Sequence, residues 1–143
     1  MRIVVDANLL AALILPLPYS EPARRKMTAW KNSGDEIFAP VLWEYELTSA
    51  LRKAVSNGFL NAGESADILR QILILNVQSV APSEALHLSS LKWAERLKQS
   101  KAYDAQYMAL ARDYKAPFWT GDHRLANSAH QLGYSWVHWV GEE

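Results

Sequence analysis

The chain has 143 residues, with 15 Lys and Arg set against 15 Asp and Glu, so its formal net charge is zero. That length suits one domain, residues 1–143, with a sizeable core, and an apolar half of the residues excludes wholesale disorder. The absence of cysteine removes disulfides, thiol catalysis and cysteine-held metals, and the charge balance argues against coating nucleic acid through bulk positive charge.

Arg2-Ile3-Val4-Val5-Asp6 is a short apolar run that ends in an acid, the pattern of a strand buried on both faces of a parallel sheet. The apolar residues from Leu9 to Leu15 resemble part of a secretory signal. Asp6 and Asn8 interrupt that reading, and no small-residue cleavage site follows Pro16 and Pro18. The stretch is also short of the ~20 apolar residues of a membrane span. The chain therefore reads as cytoplasmic, with no membrane partner. Ala7 to Leu15 is expected to be helical and to stop at Pro16; Glu21 to Lys31 is a second helix, ending near Asn32-Ser33-Gly34. Ile37-Phe38-Ala39 reads as a strand, and Pro40 suits the first turn of a helix that runs to Asn57 and stops at Gly58.

Helical signals dominate the middle: Ala66 to Leu75, then Ser83 as the cap of a helix reaching Gln99, with a brief strand at Val77 to Val80 between them. Tyr103 to Tyr114 carries an apolar and aromatic stripe at 103, 107, 110, 111 and 114. Phe118-Trp119-Thr120 is expected as a strand, His123 to Gln131 as a helix closed by Gly133, and Trp136 to Val140 as a last strand. Strands alternating with helices imply an α/β fold with a mainly parallel sheet. Trp43, Trp93 and Trp119 lie in core-like patterns, whereas Trp136 and Trp139 suit either the core or an interface.

Two acids close buried strands: Asp6 ends the first, and Asp122 lies two residues after Thr120. The carboxyl ends of strands line the ligand crevice of open α/β sheets, so both acids can face one cleft. Asp104 adds a third at a helix start, where the helix dipole favours a carboxylate. Clustered carboxylates repel unless a cation joins them, and oxygen-only ligands suit Mg2+ or Mn2+ beside a substrate phosphate. That chemistry is metal-assisted phosphodiester hydrolysis. Each acid also has a plainer use, since Asp122 and Asp104 can cap their own helices and Asp6 can satisfy loop amides. A fourth acid lies on the helix after Pro40. Glu44 and Glu46 flank its apolar face of Trp43, Leu47, Ala50, Leu51 and Ala54 on opposite sides, and periodicity does not choose between them.

Four stretches together resemble PIN-domain proteins, in that family's order and across nearly the whole chain. They are Val4-Val5-Asp6-Ala7-Asn8-Leu9-Leu10, Pro40 with Glu46-Leu47-Thr48-Ser49-Ala50-Leu51, Tyr103-Asp104-Ala105-Gln106-Tyr107-Met108-Ala109-Leu110-Ala111, and Thr120-Gly121-Asp122-His123-Arg124-Leu125. The resemblance implies a three-layer α/β/α sandwich and a metal-dependent nuclease, most often a ribonuclease. It further implies Asp6, Glu46, Asp104 and Asp122 as the Mg2+ or Mn2+ quartet, with Glu46 preferred over Glu44 because Pro40 and the Leu-Thr-Ser-Ala-Leu run fit that register. Small single-domain members are similar to VapC toxins, homodimers blocked by a cognate antitoxin, so the implied partners are RNA, an antitoxin and a second copy.

Asn8 and Thr120 are candidates for orienting a carboxylate or water, and Arg124, near Asp122, for touching substrate. Two further basic clusters, Arg24-Arg25-Lys26 and Lys92, Arg96, Lys98 and Lys101, read equally well as solvated helix faces. Asp6-Ala7-Asn8 is similar to a dehalogenase-type phosphatase loop, but Asn8 stands where that loop needs a second acid. No phosphate-binding glycine loop, Gly-x-Ser-x-Gly elbow or His-Glu-x-x-His motif is present, and His123 and His130 are too far apart for a ligand pair. The alternative from another class is a non-catalytic PIN-like module that binds RNA or protein. Setting the proposed quartet aside leaves 15 bases against 11 acids, a mildly basic remainder suited to holding RNA around a metal.

Overall fold

A computed structural model describes residues 1–142. Five short runs become the strands β1 (Arg2–Val5), β2 (Glu36–Pro40), β3 (Gln78–Val80), β4 (Phe118–Thr120) and β5 (Val137–Trp139). They form one sheet in the order β3-β2-β1-β4-β5, with every neighbouring pair parallel. Val4 stands opposite Phe38 on one side and Phe118 on the other, so β1 is the central strand. Its Ile3, Val4 and Val5 are almost wholly buried, which explains the unbroken apolar run.

Seven helices connect the described strands: α1 (Ala7–Ala12), α2 (Ser20–Asn32), α3 (Leu42–Ser56), α4 (Ala62–Leu73), α5 (Glu84–Arg96), α6 (Tyr103–Asp113) and α7 (His123–Gln131). Parallel crossovers are right-handed, so the path from β1 through β2 to β3 lays its helices on one face, and the return through β4 to β5 lays them on the other. Alternation along β4 agrees. Trp119 meets Trp30 of α2 with ring centres 5.7 Å apart, while the preceding Phe118 stacks on Tyr107 of α6 at 5.8 Å. The result is the three-layer α/β/α sandwich. Trp43 and Trp93 are core residues; Trp136 packs edge-on against Trp93, and Trp139 stacks on His123. Among the described residues, no helix is long and apolar enough to cross a membrane.

Several element boundaries differ from the sequence reading, α5 ending at Arg96 rather than Gln99 and β5 spanning only Val137–Trp139 among them, and three have identifiable causes. Pro40 is the last residue of β2 rather than part of a helical turn, and α3 begins at Leu42. The parallel register carries Pro40 opposite Val80, and the Val41 N–H donates to the Val80 carbonyl at 3.0 Å, which keeps the chain extended past the proline. Helix α1 stops at Ala12 instead of Leu15. Ser20 ends it from a distance: its hydroxyl donates to the Leu15 carbonyl at 2.6 Å and accepts from the Leu17 N–H at 2.8 Å, holding a turn there. Helix α4 starts four residues earlier than Ala66 and ends at Leu73, because Asn61 and Glu64 form a capping box. The Asn61 side chain accepts from the Glu64 N–H at 2.8 Å, and Glu64 accepts from the Asn61 N–H at 3.0 Å. Asn61→Ala is therefore expected to lower the unfolding free energy by about 1 kcal/mol in urea denaturation, with an unchanged slope.

Candidate active site

From β1 the chain moves outward through β2 to β3, then returns to the opposite side at β4. An open sheet leaves a crevice where strand order reverses in this way, at the carboxyl ends of the strands. Here that crevice lies between β1 and β4, and each ends at an acid.

Asp6 caps α1, and its Oδ1 accepts from the Leu9 N–H at 2.9 Å and the Gly121 N–H at 3.1 Å. Its Oδ2 accepts from the Thr120 hydroxyl. The same Thr120 oxygen accepts from the Asp122 N–H at 2.9 Å, so Thr120 ties the acid of β1 to the acid of β4. Asp122 caps α7, taking the N–H groups of Arg124 and Leu125 at 3.0 and 3.2 Å. Asp104 lies in the first turn of α6 without capping it; its Oδ2 accepts from Gln99 Nε2 at 3.1 Å. On α3, Glu46 accepts from the Tyr107 phenol at 2.5 Å.

A cavity of about 120 Å³ brings Asp6, Glu46 and Asp104 together, with Asn8 and Tyr107 beside them. Glu44 does not line it; the α3 register turns Glu46 toward α6 instead. Asp122 stands outside the lining, although its charge acts on Asp104. Asn8 contributes to the wall and makes no side-chain hydrogen bond among the described residues. Arg124 is exposed on α7 and does not reach this cavity.

The electrostatics have one sign. Burial pushes Asp6 up to about 6 from its ordinary 3.8; three hydrogen bonds oppose that rise, and the charge of Asp104 adds to it. Burial also raises Glu46, against the Tyr107 hydrogen bond and with the Asp104 charge. Asp104 rises by burial, opposed by Gln99 and assisted by Asp122. Each carboxylate is thus held where negative charge is disfavoured, a condition that a cation relieves. Among the described residues, no three acidic or histidine side chains are already drawn together as a metal site. Tyr107, Gln99 and the α7 amides each hold a different one of these acids. The donor set still fits a hard divalent cation: it is oxygen-only, shares one cavity, and has raised proton affinities.

Three participants were not singled out from the sequence. Tyr107 lies three residues after Asp104, on the same helix side, and read only as part of an apolar stripe; the i, i+3 spacing to an acid was its available signal. Gln99 reaches Asp104 from the loop before α6, where no periodicity applies. Tyr19 is half-buried, and after burial itself the charges of Asp6 and Asp122 raise its phenol, which places it close to both.

A model of the PIN domain matches residues 3–131. Ribonuclease VapC3 of Pyrobaculum aerophilum is 31% identical over 135 residues, covering 88% of this chain and 93% of that protein. VapBC2 from Rickettsia felis, in a structure bound to a DNA fragment from their promoter, has the same fold, with a TM-score of 0.67 at 12% identity, covering 97% of both chains. VapC20 of Mycobacterium tuberculosis, a sarcin-ricin loop cleaving toxin, gives a TM-score of 0.63 at 16% identity, covering 88% of this chain and 94% of that one. With Asp6 and Asp122 at the strand ends of this sheet, and the match running through them and through Glu46 and Asp104, the chain belongs to the PIN-domain family.

Proposed function

We propose that the protein is a VapC-like, Mg2+- or Mn2+-dependent endoribonuclease, the toxin of a toxin–antitoxin pair. The observation that carries this reading is the cavity in which Asp6, Glu46 and Asp104 converge beside the end of β4, in a chain related to a protein named as a ribonuclease. Asp6, Glu46 and Asp104 would hold the ion, with Asp122 completing the quartet from the β4 side. When bound, the ion lowers the pKa of water and offsets charge growing on the phosphate. The chain's own residues supply the rest. Thr120 fixes the orientation of Asp6 and the approach of the β4 end, Tyr107 aims Glu46, and Gln99 aims Asp104. Asn8, which lines the cavity, would orient a water or phosphate oxygen. Arg124, exposed on α7 two residues after Asp122, would touch substrate outside the cavity.

The partners belong to the same proposal: an RNA substrate, a second copy in a homodimer, and a cognate antitoxin that covers the acid cleft with an Arg or Lys. VapBC2 supports the pairing.

The test is cleavage of total RNA with ends mapped. Activity is expected to vanish in EDTA and return with Mg2+ or Mn2+, while Asp104→Asn stays inactive under both conditions. Metal-independent cleavage would remove the cofactor from the proposal. RNA binding without cleavage at any metal concentration would favour the non-catalytic module instead.

A further inference from the structure

The acid cleft repels the RNA it would have to hold, so a cationic contact is needed close by. Several basic residues are already engaged within the fold. Arg24 donates to the Leu13 carbonyl at 2.9 Å and pairs with Glu21; Lys26 lies over the Trp119 ring at 4.5 Å; Arg96 lies over Trp93 at 4.6 Å. Two lysines behave differently. Lys98 and Lys101, on the loop between α5 and α6, line a second cavity of about 480 Å³ whose wall also contains Glu46 and Asp104. Neither lysine has an ion-pair partner among the described residues. The two cavities therefore share two acids, and the lysines line the one that adjoins the cleft. Tyr103 lines the same cavity and keeps more than half of its surface exposed.

We infer that this loop is a single-strand RNA subsite: Lys98 and Lys101 hold backbone phosphates next to the acid cleft, and the Tyr103 ring stacks on an unpaired base. The inference rests on the ribonuclease reading and adds to it the side from which the strand enters and its unpaired state. Lysines beside an exposed aromatic ring are the elements with which proteins bind single strands without reading sequence, and here they stand next to the two shared acids. Lys98 also occupies a costly place. It follows the α5 cap with a φ of 55°, the left-handed backbone that ends the helix through Lys98 N–H to Glu95 and Gln99 N–H to Ala94. Glycine adopts that conformation more readily than lysine, so the backbone gives no reason for the side chain.

This permits a clean test. Lys98→Gly removes the ammonium while relieving the backbone, so stability is expected to hold or rise. The probe is a single-stranded RNA oligonucleotide titrated over a salt series in EDTA, which stops the proposed metal-dependent cleavage. Removing each lysine is expected to reduce the slope of log affinity against log salt by about 0.7, which is about a fourfold weakening each at roughly 0.15 M salt. Lys92→Ala, on the outer surface of α5, is expected to leave the slope unchanged. Tyr103→Ala is expected to weaken the single strand at least about fivefold and leave a duplex of the same sequence unaffected. If wild type binds but Lys98→Gly and Lys101→Ala keep its slope, the phosphate subsite is wrong while the ribonuclease reading stands. Equal losses on duplex and single strand for Tyr103→Ala overturn the stacking. If wild type does not bind the single strand at all, the subsite is wrong, and the ribonuclease reading is decided separately by the metal-dependent cleavage assay.

Discussion

Asp6→Asn is expected to reduce RNA cleavage by roughly 10²- to 10³-fold and, at about pH 8, to make the metal-free protein more stable than wild type. The activity loss follows from removing the anionic oxygen at the centre of the cleft. The stability gain follows from linkage. The Asp6 carboxyl sits in the fold at about 6, against an ordinary 3.8, so between those values the folded state keeps a proton that the unfolded state has released. Stability therefore falls as pH rises through that window and stays lower above it, by about 3 kcal/mol from this group alone. Asparagine carries no charge at any of these pH values. Its oxygen still accepts from Leu9 and Gly121, and only the Thr120 contact must rearrange, at about 1 kcal/mol. Urea unfolding at about pH 8 and about pH 4 checks both signs: the variant exceeds wild type at the first and loses that advantage at the second. A variant weaker than wild type at the higher pH would mean that burial does not disfavour the Asp6 charge. Full cleavage by the variant would displace Asp6 from the site.

Gly121→Ala is expected to lower stability by roughly 1–3 kcal/mol and to cut cleavage about 10²-fold. The reason is a close approach of two backbones. A methyl group on Gly121 would lie 2.8 Å from the Asn8 carbonyl carbon and the Leu9 nitrogen, and 2.9 Å from the Asn8 Cβ. None of these atoms is the far end of a flexible side chain. On one side β4 is held between β1 and β5; on the other α1 is anchored by Leu9 and Leu10, both fully buried. The relief available is to move the β4 end outward, which lengthens the Gly121 contact to Asp6 and carries Asp122 away. Thermal unfolding with cleavage rates reads both effects. A variant with wild-type stability and rate would show that this junction is soft.

Most of the architecture was legible because burial on both faces writes itself as unbroken apolar runs. Val4-Val5 and Phe118-Trp119-Thr120 led directly to the two strands that bracket the crevice, and Ser83 and Asp122 cap the helices they precede. What failed was set by distant partners. Pro40 belongs to β2 because Val80 pairs with it, and α1 ends early because Ser20 captures its far turn. The choice between Glu44 and Glu46 was undecidable on α3 alone, since both flank its apolar face. The structure distinguishes their positions through Tyr107, which is 61 residues away and donates to Glu46. Asp6 and Asp122 carry both readings at once, capping helices with the same carboxylates that face the crevice.

The bond from Thr120 to Asp6 joins residues 114 positions apart, and the strand pair that supports it is the central one. Contacts of such long separation form late, after the intervening chain has been made and closed. During synthesis the first three acids leave the ribosome before the residue that orients the first of them exists. A chain halted anywhere ahead of β4 therefore carries Asp6 without the Thr120 hydroxyl and Gly121 N–H that hold its two oxygens. The acid that closes β1 is thus fully oriented only when translation is nearly finished, a delay set by the place of β4 in the chain.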